Sequence, residues 1–166
     1  DRTRLVISAP PGAGKTTRVP LALLDEAWVA GRRIILVEPR RIAARAAAER
    51  MAATIGQGVG QTVGLRSRLD VRVSQATRLE VVTEGVFSRM VLSDPGLEGV
   101  AAVLFDEFHE RSLDADEGLA FAMDAQAVIR EDLRIVLMSA TLPANLTQDF
   151  FDGPVIESLG RAWPVE

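Results

Sequence analysis

Short, β-branched apolar runs alternate with stretches of helical spacing along this chain, and most of the runs stop at a turn former or an acidic residue. Leu5-Val6-Ile7-Ser8 reads as a buried strand ended by Pro10, Pro11 and Gly12. Helical spacing follows over residues 14 to about 27. Arg33-Ile34-Ile35-Leu36-Val37 is a second strand, stopped by Pro39. The Ala-rich residues 41–53 form a helix by propensity, ended by Gly56, Gly58 and Gly60. Further strands are expected over residues 63–69, 78–82, 101–105 and 133–138, with a last one at Val155-Ile156. Helices are expected over residues 84–92 and 113–129, and a short one over residues 145–151. Apolar strands separated by helices imply an α/β domain with a mostly parallel sheet, flanked by helices on both faces. Ligands of such sheets bind at the carboxyl ends of the strands. Three polar segments, residues 10–17, 106–109 and 139–141, each follow such an end. No repeat, linker or low-complexity segment interrupts the pattern, so residues 1–166 read as a single domain.

Composition narrows the chemistry. There is no cysteine, which excludes disulfides and Cys-based zinc sites, and one histidine makes a poor metal centre. No apolar run reaches the roughly 18 residues needed to span a bilayer. Residues 1–5 are charged and lead straight into a strand, so no signal peptide is expected and the default address is the cytoplasm. The net charge of −4 argues against gripping nucleic acid by a bulk positive field. Any such contact must be local, made by a few arginines and backbone amides.

The chain's only lysine, Lys15, lies in Ala9-Pro10-Pro11-Gly12-Ala13-Gly14-Lys15-Thr16, between a strand and a helix. The pattern is that of a phosphate-binding loop, G-x-x-x-x-G-K-[ST], with Ala9 in place of the first glycine. Small residues let backbone N–H groups converge on phosphate oxygens, and the new helix adds its positive end. Lys15 would bridge the β- and γ-phosphates of ATP, and the Thr16 hydroxyl would ligate Mg²⁺. Asp106-Glu107 follows another apolar strand. Asp106 would hold the Mg²⁺ through water, and Glu107 would orient and deprotonate the attacking water. Alone, such a pair also suits the cap of the next helix; the adjacent Glu107 tilts the reading to hydrolysis.

The full string Asp106-Glu107-Phe108-His109-Glu110-Arg111 resembles the D-E-A-H signature of DEAH/RHA helicases, with Phe108 in place of Ala. Glu38-Pro39-Arg40-Arg41-Ile42-Ala43-Ala44-Arg45 resembles motif Ia of that family, Thr83-Glu84-Gly85 motif Ib, and Ser139-Ala140-Thr141 motif III. Gly160-Arg161-Ala162-Trp163-Pro164-Val165 resembles the segment leading out of the first motor domain. Thr16-Thr17-Arg18-Val19-Pro20 resembles the extended phosphate loop, with Arg18 where many members carry Gln. The Ala-Pro-Pro-Gly opening and Glu-Pro-Arg-Arg are most similar to the bacterial HrpB-type branch.

The resemblance implies a RecA-like P-loop NTPase domain in which Pro11, Gly12, Ala13, Gly14, Lys15, Thr16 and Thr17 hold the nucleotide, with Lys15, Asp106 and Glu107 as the catalytic set. It implies that Arg40, Arg41, Thr83 and Gly85 contact the backbone of single-stranded nucleic acid, RNA being the commoner substrate. It makes His109, Ser139 and Thr141 a link between the nucleotide and strand movement, and it sets Arg50 against the adenine. Each has a plainer alternative: Arg40, Arg41 and Arg50 as solvated helix charges, Thr83 as an N-cap, Ser139 and Thr141 as turn residues. The family works with a second RecA-like domain, whose motifs are not in this chain. Two other functions share the loop: a P-loop phosphotransferase, which would not need Ser-Ala-Thr, and a nucleotide-dependent switch that never unwinds.

Overall fold

The computed structural model describes residues 2–141 and 151–159. Its centre is an eight-stranded sheet, made of β1 (Arg4–Ser8), β2 (Arg33–Glu38), β3 (Val63–Arg66), β4 (Val71–Arg72), β5 (Leu79–Thr83), β6 (Val100–Phe105), β7 (Arg134–Ser139) and β8 (Val155–Glu157), in the order β4-β3-β5-β2-β6-β7-β1-β8. Every pairing is parallel except that of β4 with β3.

Among the described residues four α-helices cover the sheet: α1 (Lys15–Leu23), α2 (Arg41–Thr54), α3 (Glu84–Ser93) and α4 (Leu113–Val128). Alternation along β2 shows why the runs are apolar throughout. Ile34 and Leu36 face a core with Ala44, Ala48 and Met51 of α2, while Ile35 and Val37 face one with Phe87 of α3 and Leu119 of α4. A central strand buried on both faces has no polar side to show. α2 buries Ala44, Ala47, Ala48, Met51 and Ala52, a stripe at helical spacing. None of the described helices is long and apolar enough to cross a membrane.

Parallel strands carry their carboxyl ends to one rim. Ser8 is register partner of Ser139, and Glu38 of Thr83. The ladder runs one residue further at two points, with Ala9 N donating to Ser139 O and Asp106 N to Val37 O, both at 3.0 Å.

Some boundaries differ from expectation. β3 ends at Arg66 because Ser67 turns the chain, its N–H donating to Asp70 O at 2.8 Å; β4, too short to show a period, returns beside it. The first helix stops at Leu23, and a separate 3-10 turn occupies Ala27–Val29. The helix expected over residues 145–151 and the segment 160–165 lie outside the described residues, apart from Phe151, which is buried and non-helical.

Candidate nucleotide site

The glycine loop sits where β1 meets α1. Gly12 and Gly14 have φ of +82° and +84°, a left-handed backbone that glycine adopts without penalty. A Cβ on Gly12 would meet nothing within 4 Å, so its backbone conformation, not crowding, is what favours glycine there. Gly14 caps α1, and Lys15 is its first residue, with its side chain buried. Ala9, at the position usually held by glycine, is itself buried and already engaged in the ladder bond, so a methyl group is accommodated there. Arg18 lies back over the loop, its Cδ 3.1 Å from where a Gly14 Cβ would stand.

Two strands away, β6 delivers the acidic pair. Thr16 Oγ1 donates to Asp106 Oδ2 at 2.7 Å, although the two residues are 90 positions apart in sequence. The other Asp106 oxygen accepts from Glu107 N at 2.9 Å. Glu107 is held from both sides, with Lys15 Nζ 3.6 Å from Oε1 and His109 Nε2 3.1 Å from Oε2. His109 Nδ1 accepts from Ala140 N at 3.1 Å, which leaves the proton on Nε2 to be shared with Glu107. One imidazole therefore joins the acidic pair to the Ser-Ala-Thr segment. In that segment Ser139 Oγ donates to Thr141 O and accepts from Thr141 N at 3.3 Å, so both residues also hold a local turn.

The turn carrying these groups is strained. Glu107 and Arg111 have φ of +52° and +42° without being glycine, and they flank a second 3-10 turn, Phe108–Glu110. Such backbone costs on the order of 1–3 kcal/mol per residue and persists only where its surroundings hold it. Phe108 supplies the anchor: it is buried edge-on against Phe105, with ring centres 6.3 Å apart, and Arg111 lies over its outer face. An alanine there could not do this.

Glu38 heads the motif Ia string, but the sequence reading gives it no place beside the acidic pair. It ends β2 almost fully buried beside Asp106, and its Oε1 has no hydrogen-bond partner. Burial pushes its pKa up to about 10, helped by a hydrogen bond to Asp106 and by the charges of Asp106 and Glu107. Its signal in the sequence is a carboxylate closing an otherwise apolar run.

The residues read as nucleic-acid contacts share the same rim. Arg40 is the N-cap residue of α2 and Arg41 its exposed first residue. Thr83 takes the N-cap position of α3 but makes no side-chain cap bond, and Gly85 has open space at its Cα. Arg40 Nη2 contacts Glu110 Oε1 at 2.9 Å. Ser112, the N-cap of α4, donates to Glu84 of the motif Ib string at 2.6 Å. Arg50 is exposed on α2, on the turn before its carboxyl end. Pro11 and Gly12 are exposed, and Ala13 and Thr17 half-buried.

The DEAD/DEAH box helicase family model matches residues 1–149, a span that holds the loop, the acidic pair and Ser-Ala-Thr. The chain belongs to the DEAD/DEAH box helicase family. The ATP-dependent RNA helicase HrpB of Escherichia coli K12 is 50% identical over 164 residues, covering 98% of this chain and 20% of that protein. The Arabidopsis thaliana DExH-box ATP-dependent RNA helicase DExH1 is 39% identical over 166 residues, covering 97% of this chain and 17% of that protein. A crystal structure of the E. coli DExH-box NTPase HrpB superposes with a TM-score of 0.92 at 49% identity, over 99% of this chain and 20% of that one. The chain thus spans about a fifth of the length of these relatives. Family and fold agree with the RecA-like, HrpB-type resemblance carried by the motifs, and with ATP as the nucleotide.

Proposed function

We propose that the chain is the first motor domain of an ATP-dependent RNA helicase. It binds Mg-ATP at this rim and, with a second RecA-like domain, couples hydrolysis to movement along single-stranded RNA in the cytoplasm. Support comes foremost from the meeting of Lys15, Thr16, Asp106 and Glu107, drawn from two distant segments onto one edge. The relatives named above are RNA helicases, which favours RNA over DNA.

The donor set suits magnesium. Thr16 Oγ1 and Asp106 Oδ2 are hard oxygen atoms 2.7 Å apart. Mg²⁺ takes oxygen ligands and usually keeps several waters, so a hydroxyl can bind it directly while the neighbouring carboxylate holds one of those waters. A bound Mg²⁺ would neutralise charge on the β- and γ-phosphates. Thr16 would hold it directly and Asp106 through water. Lys15, freed from Glu107 by the phosphates, would bind their oxygens. Glu107 would take the proton of the attacking water, steadied by His109, and His109 would pass the state of the site to Ala140 and the Ser139–Thr141 turn. Arg50 would stack on the adenine. Arg40, Arg41, Thr83 and Gly85 would track the RNA backbone without reading sequence.

Titration calorimetry with Mg-ADP tests the site. Wild type should bind, and Lys15→Ala should bind at least tenfold more weakly. Equal affinity of the two proteins would remove the assignment.

A further inference from the structure

Arg40 stands where the RNA rim meets the catalytic turn. Its side chain is 66% exposed, yet one of its guanidinium nitrogens is held by Glu110, at 2.9 Å. Arg41 beside it is exposed and makes no ion pair among the described residues. Glu110 closes the strained turn that carries Glu107 and His109, and atoms of all three side chains lie within 4.8 Å of one another. Arg40 and Glu110 share a single hydrogen bond, whereas Arg111 grips Asp116 with two, both at 2.9 Å. One of these arginines is thus firmly placed, and the other is lightly held.

An exposed, singly bonded ion pair is weak. A phosphate diester offers the same guanidinium a comparable anion and room for two parallel bonds. We propose that Glu110 is a positioning residue that occupies Arg40 until nucleic acid arrives, and that a backbone phosphate takes Arg40 by displacing the Glu110 carboxylate. The exchange removes one tether of the turn, next to His109, so that binding at the rim is felt at the groups facing the nucleotide. This rests on the assignment of Arg40 as a backbone contact made under the proposed function.

A double-mutant cycle on the full-length protein carrying this chain decides the matter, using anisotropy of a labelled single-stranded U12 RNA. Arg40→Gln should weaken binding severalfold. Glu110→Gln keeps the shape of the side chain, removes the competing charge, and should tighten binding about two- to fivefold, the range an exposed pair allows. That gain should vanish in the Arg40→Gln background, with thermal midpoints of all variants matching wild type. A fold-wide role for Glu110 would move the midpoint, and a general charge effect would tighten binding equally in both backgrounds; either result overturns the exchange, as does unchanged or weaker binding by Glu110→Gln. Wild-type affinity in Arg40→Gln, or no RNA binding by any variant, would fail the nucleic-acid assignment itself, while the Lys15 titration judges the nucleotide site separately.

Discussion

Glu107 is gripped by a lysine on one side and a histidine on the other, so its geometry and its basicity can be separated by one substitution. Gln in its place keeps the shape and can still accept from His109, but it cannot take a proton. Glu107→Gln should bind Mg-ADP within about threefold of wild type, and RNA-stimulated hydrolysis by the full-length protein should fall by about 10²–10⁴. Phosphate release together with calorimetry checks both halves, and a variant that still turns over normally would mean that another group activates water. Glu38 allows a pH test in metal-free protein. Its carboxyl is raised in the fold from an ordinary value near 4.5 to about 10. Between these values the unfolded chain sheds a proton that the folded chain retains, so the site lowers stability progressively as pH rises. Below about 4.5 both states are protonated and the effect disappears. Glu38→Gln carries no such penalty. Its denaturant midpoint should exceed that of wild type at pH 8, and the gap should close towards pH 5; a gap that is constant with pH would show that Glu38 ionises normally. This residue was not legible as a site member. Its partnership with Asp106 is made across the β2–β6 ladder, between segments whose register no local pattern records.

Elements were legible wherever burial imposed a period. β2, β6 and β7 are covered on both faces and read as unbroken apolar runs, and α2 shows its stripe of alanines and Met51. What failed was the part held by polar turns. Leu69 extends the apparent β3 run, but it is 78% exposed in a turn closed by Ser67 and Asp70, and β4 has only two residues. The Phe108–Glu110 turn was legible as a motif but not as a strained one, since positive φ at Glu107 and Arg111 leaves no mark in residue type. Ser112 ties two elements together: it caps α4 by accepting from Ala115 N at 3.0 Å and donates to Glu84 at the start of α3. Glu84 is raised above the ordinary glutamate value, first by burial, with Ser112 acting against the rise. Ser112→Ala should therefore destabilise the chain by about 0.5–2 kcal/mol, the usual cost of a lost cap. Thr at the same position should restore most of it. Chemical denaturation of the three proteins reads this out, and an alanine variant as stable as wild type would make the cap irrelevant.

At the scale of the molecule, one fact of topology gathers the chemistry: parallel strands bring Ser8, Glu38, Thr83, Phe105 and Ser139 to the same rim, with the phosphate loop, motif Ia, motif Ib, the acidic pair and motif III following them. The rim is one-sided. Under the proposed function it would supply Lys15 to the phosphates, Glu107 as the base, and Thr16 and Asp106 for Mg²⁺, all from the single sheet. In-line transfer of a γ-phosphoryl group also needs positive charge on the side facing away from that sheet. The family resemblance places the required arginine on a second RecA-like domain. In related NTPases an arginine of this kind is worth about 10³–10⁵ in rate. The chain by itself should therefore bind Mg-ADP yet release phosphate from ATP at least about 10³-fold more slowly than the RNA-stimulated full-length protein, and saturating RNA should not close the gap. Steady-state phosphate release from the two proteins makes the comparison. Full turnover by the chain alone would mean that this rim contains its own counter-charge, and the division of labour between two domains would have to be given up.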